Sequence, residues 1–453
     1  MGNRRFYAGT VAVPIGILLG SAAKPFTAHR AEAQTAWNAD LWSAGGAPGS
    51  RRRACRFPPA VRWADCYAGA VESARANPFQ PGRGVAPPVI AGRDTELERA
   101  EQLLHGLLAG RMPSRDLLFY GPRGNGKTTL LIEIQRRARE LGLRAERLPV
   151  TSLTAERRLI RELQRRAGLR GRRVTGAQVA GFGLDVEPGA ATENLDELLA
   201  HWIEADAAPL VVVLDETQAL VPEVARPFFE AVQAAKASAA PFLLLAAGTP
   251  DAPRRIREAA TFNERGFVEI PVGRLERADT VTALAEPALR YGTPMSEPAT
   301  AALAGASQDY PYFIQLLGSA AWDAAAASGA ARIGGDEAER GIQAFQNEAE
   351  RFYEARYEEA RRRRIVPVLK PLASRFASRG GRLGSSEFTE LVDEAALSNA
   401  LPIAGPALEN ELVDLGIVWR VAAGGWELGI PSFGQHVLDR SEPSPGDRVG
   451  GGG

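Results

Sequence analysis

The chain is short of lysine, cysteine and histidine. Lys24, Lys127, Lys236 and Lys370 are all the lysines in 453 residues. Arginine carries the basic charge instead, and its abundance beside alanine and glycine suggests GC-rich coding rather than a functional bias. Cys55 and Cys66 are the only cysteines, both near the N-terminus, and supply neither a disulfide framework nor a zinc pattern. The histidines His29, His105, His201 and His436 are scattered, so no metal constellation is visible. Net charge is missing too: 54 basic side chains face 54 acidic ones. Bulk electrostatics therefore gives no pull toward nucleic acid or membrane.

The N-terminal segment is ambiguous. Arg4 and Arg5 precede the apolar run AGTVAVPIGILLGSAA, and Ala31-Glu32-Ala33 outlines a cleavage site. Against a secretory signal stand Pro14 inside the run and Lys24, His29 and Arg30 after it. The run is also shorter than the roughly 20 apolar residues needed to span a bilayer, so no membrane association is expected. A third reading is that residues 1–76 include non-native coding sequence and that the true start is internal. SAGGAPGSRRR reads as disordered, as does the tail, residues 441–453.

From Asn77 the character changes. The Pro/Gly-rich entry ANPFQPGRGVAPPVIAGRDTEL leads into a helical pattern from Glu96 to Leu108. Short apolar runs then alternate with amphipathic helices. LLFYG, ERLPV, PLVVVLDE and PFLLLAAG read as strands. TTLLIEIQRRAREL, ENLDELLAHWIEAD and PEVARPFFEAVQAAKA read as helices, with a basic, loop-interrupted helical region over 155–189. Continuous apolar strands separated by helices predict an α/β fold, a parallel sheet covered on both faces. After Val272 the strands stop, and 273–335 reads as an all-α segment. Asp336 with Glu339 predicts a capping box opening a long helix. Helix, turn and helix from Ser385 precede IVWRVAAGGWELGI, which reads as a hairpin around a glycine pair.

The stretch GPRGNGKT, from Gly121 to Thr128, fits G-x-x-x-x-G-K-[ST] in full. Glycines let backbone amides close on phosphate oxygens without a side-chain clash, and the following helix aims its positive end at the same anion. A strand precedes and a helix follows, as phosphate binding requires. The nucleotide-contacting stretch is Gly121, Pro122, Arg123, Gly124, Asn125, Gly126, Lys127, Thr128 and Thr129. Lys127 is placed for the β- and γ-phosphates, and the Thr128 hydroxyl for Mg²⁺. The acidic pair Asp215-Glu216 ends the second fully apolar strand. Asp215 is the candidate for the Mg²⁺ shell, and Glu216 for polarising the attacking water. ATP and Mg²⁺ are the expected ligands, and ATP hydrolysis the expected chemistry.

These motifs, with VVVLDET, FLLLAAGTP and YPYFIQLLG, resemble bacterial AAA+ ATPases. The chain is similar to the origin-recognition ATPases of archaea, over roughly Asn77 to Arg440. The resemblance implies a P-loop ATPase core over 77–272, a helical lid over 273–335, and a long helix plus C-terminal winged-helix domain over 336–440. It implies further roles. Thr249 matches the position that reads the γ-phosphate, a plain strand-end turn before Pro250 being the other reading. Arg265 stands where such ATPases place an arginine finger, implying self-association, with Arg257 as competitor. Ile90, Ala91 and Gly92 match the segment against adenine. The lid stretch Tyr310-Pro311-Tyr312-Phe313 lacks the family's arginine, which implies weak lid coupling or coupling through a backbone or aromatic contact.

The candidate groove helix GPALENELVDLGI offers Glu409, Asn410, Glu411 and Asp414, a face that phosphates would repel. The basic cluster Arg361–Arg364, Lys370, Arg375, Arg379 and Arg382 lies earlier and reads either as a DNA-backbone contact or as a solvated helix end balancing Glu358 and Glu359. Partners through the winged helix are thus protein or DNA. The functional expectation is an ATP-driven switch in the cytoplasm, where its substrate is. The alternatives are a slow-turnover signalling NTPase and a DNA-binding regulator with ATP as co-ligand. No second-substrate motif suggests a kinase.

Overall fold

The computed structural model describes residues 76–82, 85–169, 194–259, 265–421 and 424–440. The readings of the N-terminal segment, of 170–189 and of the tail lie outside these residues.

Five short runs build a wholly parallel sheet: β1 (Asp116–Tyr120), β2 (Arg144–Leu148), β3 (Leu210–Leu214), β4 (Phe242–Gly248) and β5 (Phe267–Pro271), in the order β2-β3-β4-β1-β5. The pleat sends alternate residues to opposite faces. Leu117, Phe119, Val211, Val213 and Leu245 pack on Leu104 of α1 (Asp94–Leu108) and on Leu130 and Ile134 of α2 (Lys127–Glu140). Leu118, Val212, Leu214 and Leu244 pack on the other side. There they meet Leu163 of α3 (Glu156–Arg166), Trp202 of α4 (Leu195–Glu204) and Phe228 of α5 (Pro222–Ala237). Both faces are apolar because both are covered, which is why these strands read as unbroken hydrophobic runs.

One of the rare lysines serves this sheet. Lys236 Nζ lies 2.8 Å from Asp116 Oδ1 and 4.3 Å from the centre of the Phe242 ring. The buried Asp116 carboxylate also accepts from the Leu244 amide at 2.8 Å. Burial pushes its pKa up, and Lys236 opposes that shift.

The register matters for function. Tyr120 pairs with Gly248 and Leu214 with Ala246, so β1, β3 and β4 end nearly level. Gly121, Asp215 and Thr249 therefore leave the sheet side by side at its carboxyl edge, where open α/β sheets bind ligands.

After β4 come α6 (Ala252–Ala259), β5, and a helical half: α7 (Arg277–Arg290), α8 (Glu297–Ser307), α9 (Pro311–Ser328), α10 (Gly335–Arg362) and α11 (Val366–Ser378). The chain ends with β6 (Arg382–Leu383), α12 (Ser385–Ser398), α13 (Gly405–Asp414), β7 (Val418–Arg420), β8 (Trp426–Leu428) and α14 (Phe433–Asp439). One apolar core runs from Leu284 through Phe313 and Phe345 to Phe388 and Leu412. The anticipated hairpin is β7–β8, and β6 joins it to make an antiparallel sheet ordered β6-β8-β7. A two-residue strand has no periodicity to read, so the sequence did not announce β6.

Two readings are corrected. The strand seen in ERLPV begins earlier, at Arg144, and Val150 instead opens a short 3₁₀ turn, Val150–Ser152. The capping interaction on α10 is not Asp336 with Glu339. Glu337 Oε2 accepts from the Gly334 amide at 2.9 Å, so the helix begins two residues upstream of the expected pair. The acidic residues Asp336, Glu337 and Glu339 offer two overlapping cap patterns, and the Gly334-Gly335 turn selects the earlier one.

Candidate functional site

The phosphate loop is shaped by contacts that only its residue types allow. Gly121 has φ 155°, and a Cβ there would lie 2.3 Å from the Val272 carbonyl oxygen. Asn125 is buried and donates through Nδ2 to the same carbonyl at 3.1 Å. From outside the loop, Arg93 Nη2 donates to Asn125 O at 3.1 Å and to Gly273 O at 2.5 Å. Arg93 thus ties the entry segment, the loop and the start of the helical half together.

Lys127 opens α2, and its Nζ donates to Gly121 O at 2.8 Å and Pro122 O at 2.7 Å. Burial lowers its pKa from 10.5 to about 8; Glu216 and Asp215 oppose the shift, while Arg123 and Arg93 add to it. Phosphate oxygens favour the ammonium form, so binding must restore any proton lost. Nucleotide affinity is therefore expected to be flat below the Lys127 pKa of about 8. Above it the affinity should fall by up to tenfold per pH unit until the ordinary lysine range. Calorimetric titration across that window checks this, and an affinity that does not change there removes Lys127 from the binding step.

Thr128 Oγ1 donates to Asp215 Oδ2 at 2.9 Å, and Asp215 Oδ1 accepts from the Glu216 amide at 3.0 Å. Arg147 Nη1 lies 3.5 Å from the same Oδ2, a neighbour on β2 that sequence reasoning missed. Among the described residues no cluster of three His, Cys, Asp or Glu side chains could hold a metal alone. Mg²⁺ does not need one. It takes one or two protein oxygens together with phosphate oxygens and water. An adjacent hydroxyl and carboxylate fit that hard cation.

Glu216 sits at φ 57°, ψ 46°, a left-handed conformation unusual for a non-glycine residue. Its carboxylate accepts from Gln218 Nε2. Gln218 Oε1 in turn accepts from the Thr249 amide at 3.1 Å. Gln218 therefore links the candidate base to the candidate γ-phosphate reader. The sequence signal was slight: a polar residue two positions past the acidic pair, in the turn Thr217–Ala219. Thr249 is buried, and its hydroxyl donates to Asp251, which also accepts from Arg255.

The lid reaches the loop without an arginine in its Tyr310–Phe313 stretch. The Tyr310 hydroxyl donates to the Arg123 carbonyl, and the Tyr312 amide donates to the Gly124 carbonyl at 3.0 Å. Gly124 has φ 85°, and a Cβ there would lie 2.4 Å from the Tyr310 oxygen. The contact between the two thus combines a backbone and an aromatic hydrogen bond. Ile90 packs against the sheet's α1–α2 face, and Gly92, at φ 63°, abuts Asp279 of α7. Of the finger candidates, Arg257 is paired with Glu269 at 2.6 Å, while Arg265 is exposed just before β5.

The carboxylates of α13 are turned inward. Asp414 pairs with Arg254 of α6 at 2.8 Å, Glu411 with Arg363 of α10 at 2.8 Å, and Glu409 accepts from Thr389 at 2.7 Å. The basic cluster is largely matched as well. Arg361 and Arg362 pair with Glu358 and Glu359, Arg375 and Arg379 with Glu387, and Arg382 with Glu427.

A phosphate loop after β1, an acidic pair after β3 and a buried threonine after β4 define a P-loop nucleotide-binding protein. Residues 89–256, within the α/β part of this chain, match the family model described as an AAA ATPase domain. Among solved structures, a Walker-type ATPase of Pyrococcus abyssi is similar at 17% identity and a TM-score of 0.51, covering 77% of this chain and 96% of that one. The Aeropyrum pernix ORC2 protein gives 16% identity and a TM-score of 0.48 over 79% of this chain and 96% of that one. The Thermotoga maritima RuvB Holliday junction branch migration motor gives 17% and 0.43, over 80% of this chain and all (100%) of that one. At such identities the likeness is one of fold, and it rests on the first of the three. No curated protein matches the chain. Among the described residues, no helix is long and apolar enough to cross a membrane.

Proposed function

We propose that the chain is a Mg²⁺-dependent ATPase in which the nucleotide state of the loop is passed through the lid to a C-terminal winged-helix module. The observation that carries the reading is the convergence of Lys127, the Thr128–Asp215 pair and Glu216 beyond the ends of β1 and β3, the two strands that flank β4. Loop amides and Lys127 hold the phosphates, and Thr128 and Asp215 offer oxygens to the cation. When bound, Mg²⁺ neutralises charge developing on the phosphates. Glu216 accepts a proton from the attacking water, and Gln218 fixes the direction of its carboxylate. Thr249 offers a hydroxyl toward the terminal phosphate. Arg265 is exposed and available to a second copy of the chain, whereas Arg257 is already paired.

The helix–strand–helix–helix–hairpin order from Val366 to Leu428 supports the winged-helix reading. The inward-turned carboxylates of α13 favour a protein partner over a DNA groove, since that face is both acidic and occupied. The same clasp favours a resting, slow-turnover state as the second reading. Phosphate release by the full chain with Mg²⁺ and ATP, with and without duplex DNA, tests the proposal. Magnesium-dependent release is expected, with little response to DNA. Firm ATP retention without release would favour the slow-turnover reading, and strong DNA stimulation would overturn the choice of a protein partner.

A further inference from the structure

Asp215 already has a cation beside it. Arg147 Nη1 lies 3.5 Å from Asp215 Oδ2, the oxygen that also accepts from Thr128 Oγ1. Among the described residues Arg147 is the sole ion-pair partner of Asp215. The topology brings the two together. β2 is an edge strand beside β3, and Arg147 stands opposite Val213. Asp215 follows Val213 by two residues, so Arg147 and Asp215 share the sheet face that carries α2 and Thr128. The backbone of Arg147 is fixed separately, since its carbonyl accepts from Arg166 Nη2 at 2.7 Å.

The pair is loosely made. The Arg147 and Asp215 side chains are 35% and 16% exposed, and 3.5 Å is longer than a charged hydrogen bond. A pair of this kind adds little to fold stability, so a competing cation can replace it without loosening the sheet. The other arm of the guanidinium is not satisfied at all. Arg147 Nη2 is buried and has no hydrogen-bond partner among the described residues. Leaving a buried donor of a charged group without an acceptor is destabilising, and an arginine with a purely structural role has its arms paired. This orphaned donor belongs to the residue that flanks the carboxylate and hydroxyl suited to Mg²⁺. What it lacks is an oxygen from outside the protein.

We infer that Arg147 is a stand-in for the divalent cation: it neutralises Asp215 in the metal-free protein and lets the site accept a nucleoside triphosphate before magnesium. The inference rests on reading the loop as a nucleotide site. A bare carboxylate beside the loop repels a metal-free polyphosphate, and partial burial strengthens that repulsion. With Arg147 in place, two cations, Lys127 and Arg147, face two carboxylates, Asp215 and Glu216. Without Arg147 the carboxylates outnumber the cations at the point where anionic oxygens must settle. When bound, the metal supplies this neutralisation itself, so Arg147 matters most for nucleotide that arrives without it.

The test is calorimetric titration of the full chain with a non-hydrolysable ATP analogue, once with excess magnesium and once with EDTA. The unaltered chain is expected to bind under both conditions. Arg147→Gln is expected to weaken the metal-free titration by roughly tenfold to a hundredfold, as loss of a charged hydrogen bond does. The magnesium titration should change less than about threefold, the scale of an exposed ion pair. Arg147→Lys keeps the charge and should recover part of the metal-free affinity. Melting without ligand should move little, because the contact from Arg166 ends on the main chain of residue 147. Should Arg147→Gln fold poorly, the unaltered chain and Arg147→Lys carry the test, since both must bind the analogue in EDTA. No loss, equal losses under the two conditions, a loss confined to the magnesium titration, or an unaltered chain that binds only with magnesium overturns the inference and leaves the nucleotide site intact. If the unaltered chain binds under neither condition, the site reading falls and the inference with it.

Discussion

Replacing Lys127 with alanine is expected to abolish measurable nucleotide binding while leaving the protein folded. The ammonium would make charge-assisted bonds to two phosphates, each worth about 1.5–3 kcal/mol. Their loss implies roughly a hundredfold to ten-thousandfold weaker binding. Fold stability should move little, because two effects oppose each other. The carbonyls of Gly121 and Pro122 lose a donor. The variant, however, no longer buries an ammonium whose pKa is already depressed to about 8. Calorimetry with ATP and a thermal melt on the same preparation separate the two quantities. Affinity within tenfold of the original, in a protein that melts normally, would remove the loop from the binding site.

Glu216→Gln is expected to keep ATP and lose turnover. An amide is nearly isosteric with the carboxylate, and its oxygen still accepts from Gln218 Nε2, the partner seen for Glu216. The backbone amide of residue 216 still donates to Asp215 Oδ1, so the Thr128–Asp215 arrangement is untouched. What disappears is the proton acceptor, and general bases contribute about 10²–10⁴ in rate. Single-turnover phosphate release should fall by that factor, with Mg²⁺-ATP affinity within about twofold. An unchanged rate would strip Glu216 of its role and direct attention to Gln218 and Thr249 as the groups orienting water.

The sheet and the loop were legible because their signals are local. VVVLDE and FLLLAAG can only be strands covered on both faces, and GPRGNGKT carries its own chemistry between a strand and a helix. The rest is set by pairings across long stretches of chain. Tyr310 meets the Arg123 carbonyl 187 residues away, and no periodicity encodes that. Arg93 reads as a charged residue before a helix, yet it is buried and bridges Asn125 to Gly273. The acidic face of α13 was read from sequence as hostile to phosphate. Its actual partners, Arg254 and Arg363, could not be named from that pattern.

Both contacts from the lid to the loop end on main-chain oxygens, those of Arg123 and Gly124. A connection of this kind is indifferent to which side chain position 123 carries and responsive to how the loop is curved. Exchanging the side chain at position 123 therefore leaves both of these contacts in place. Position 124 is held to glycine by the tyrosine above it, a constraint that one half of the molecule sets on the curvature of the other.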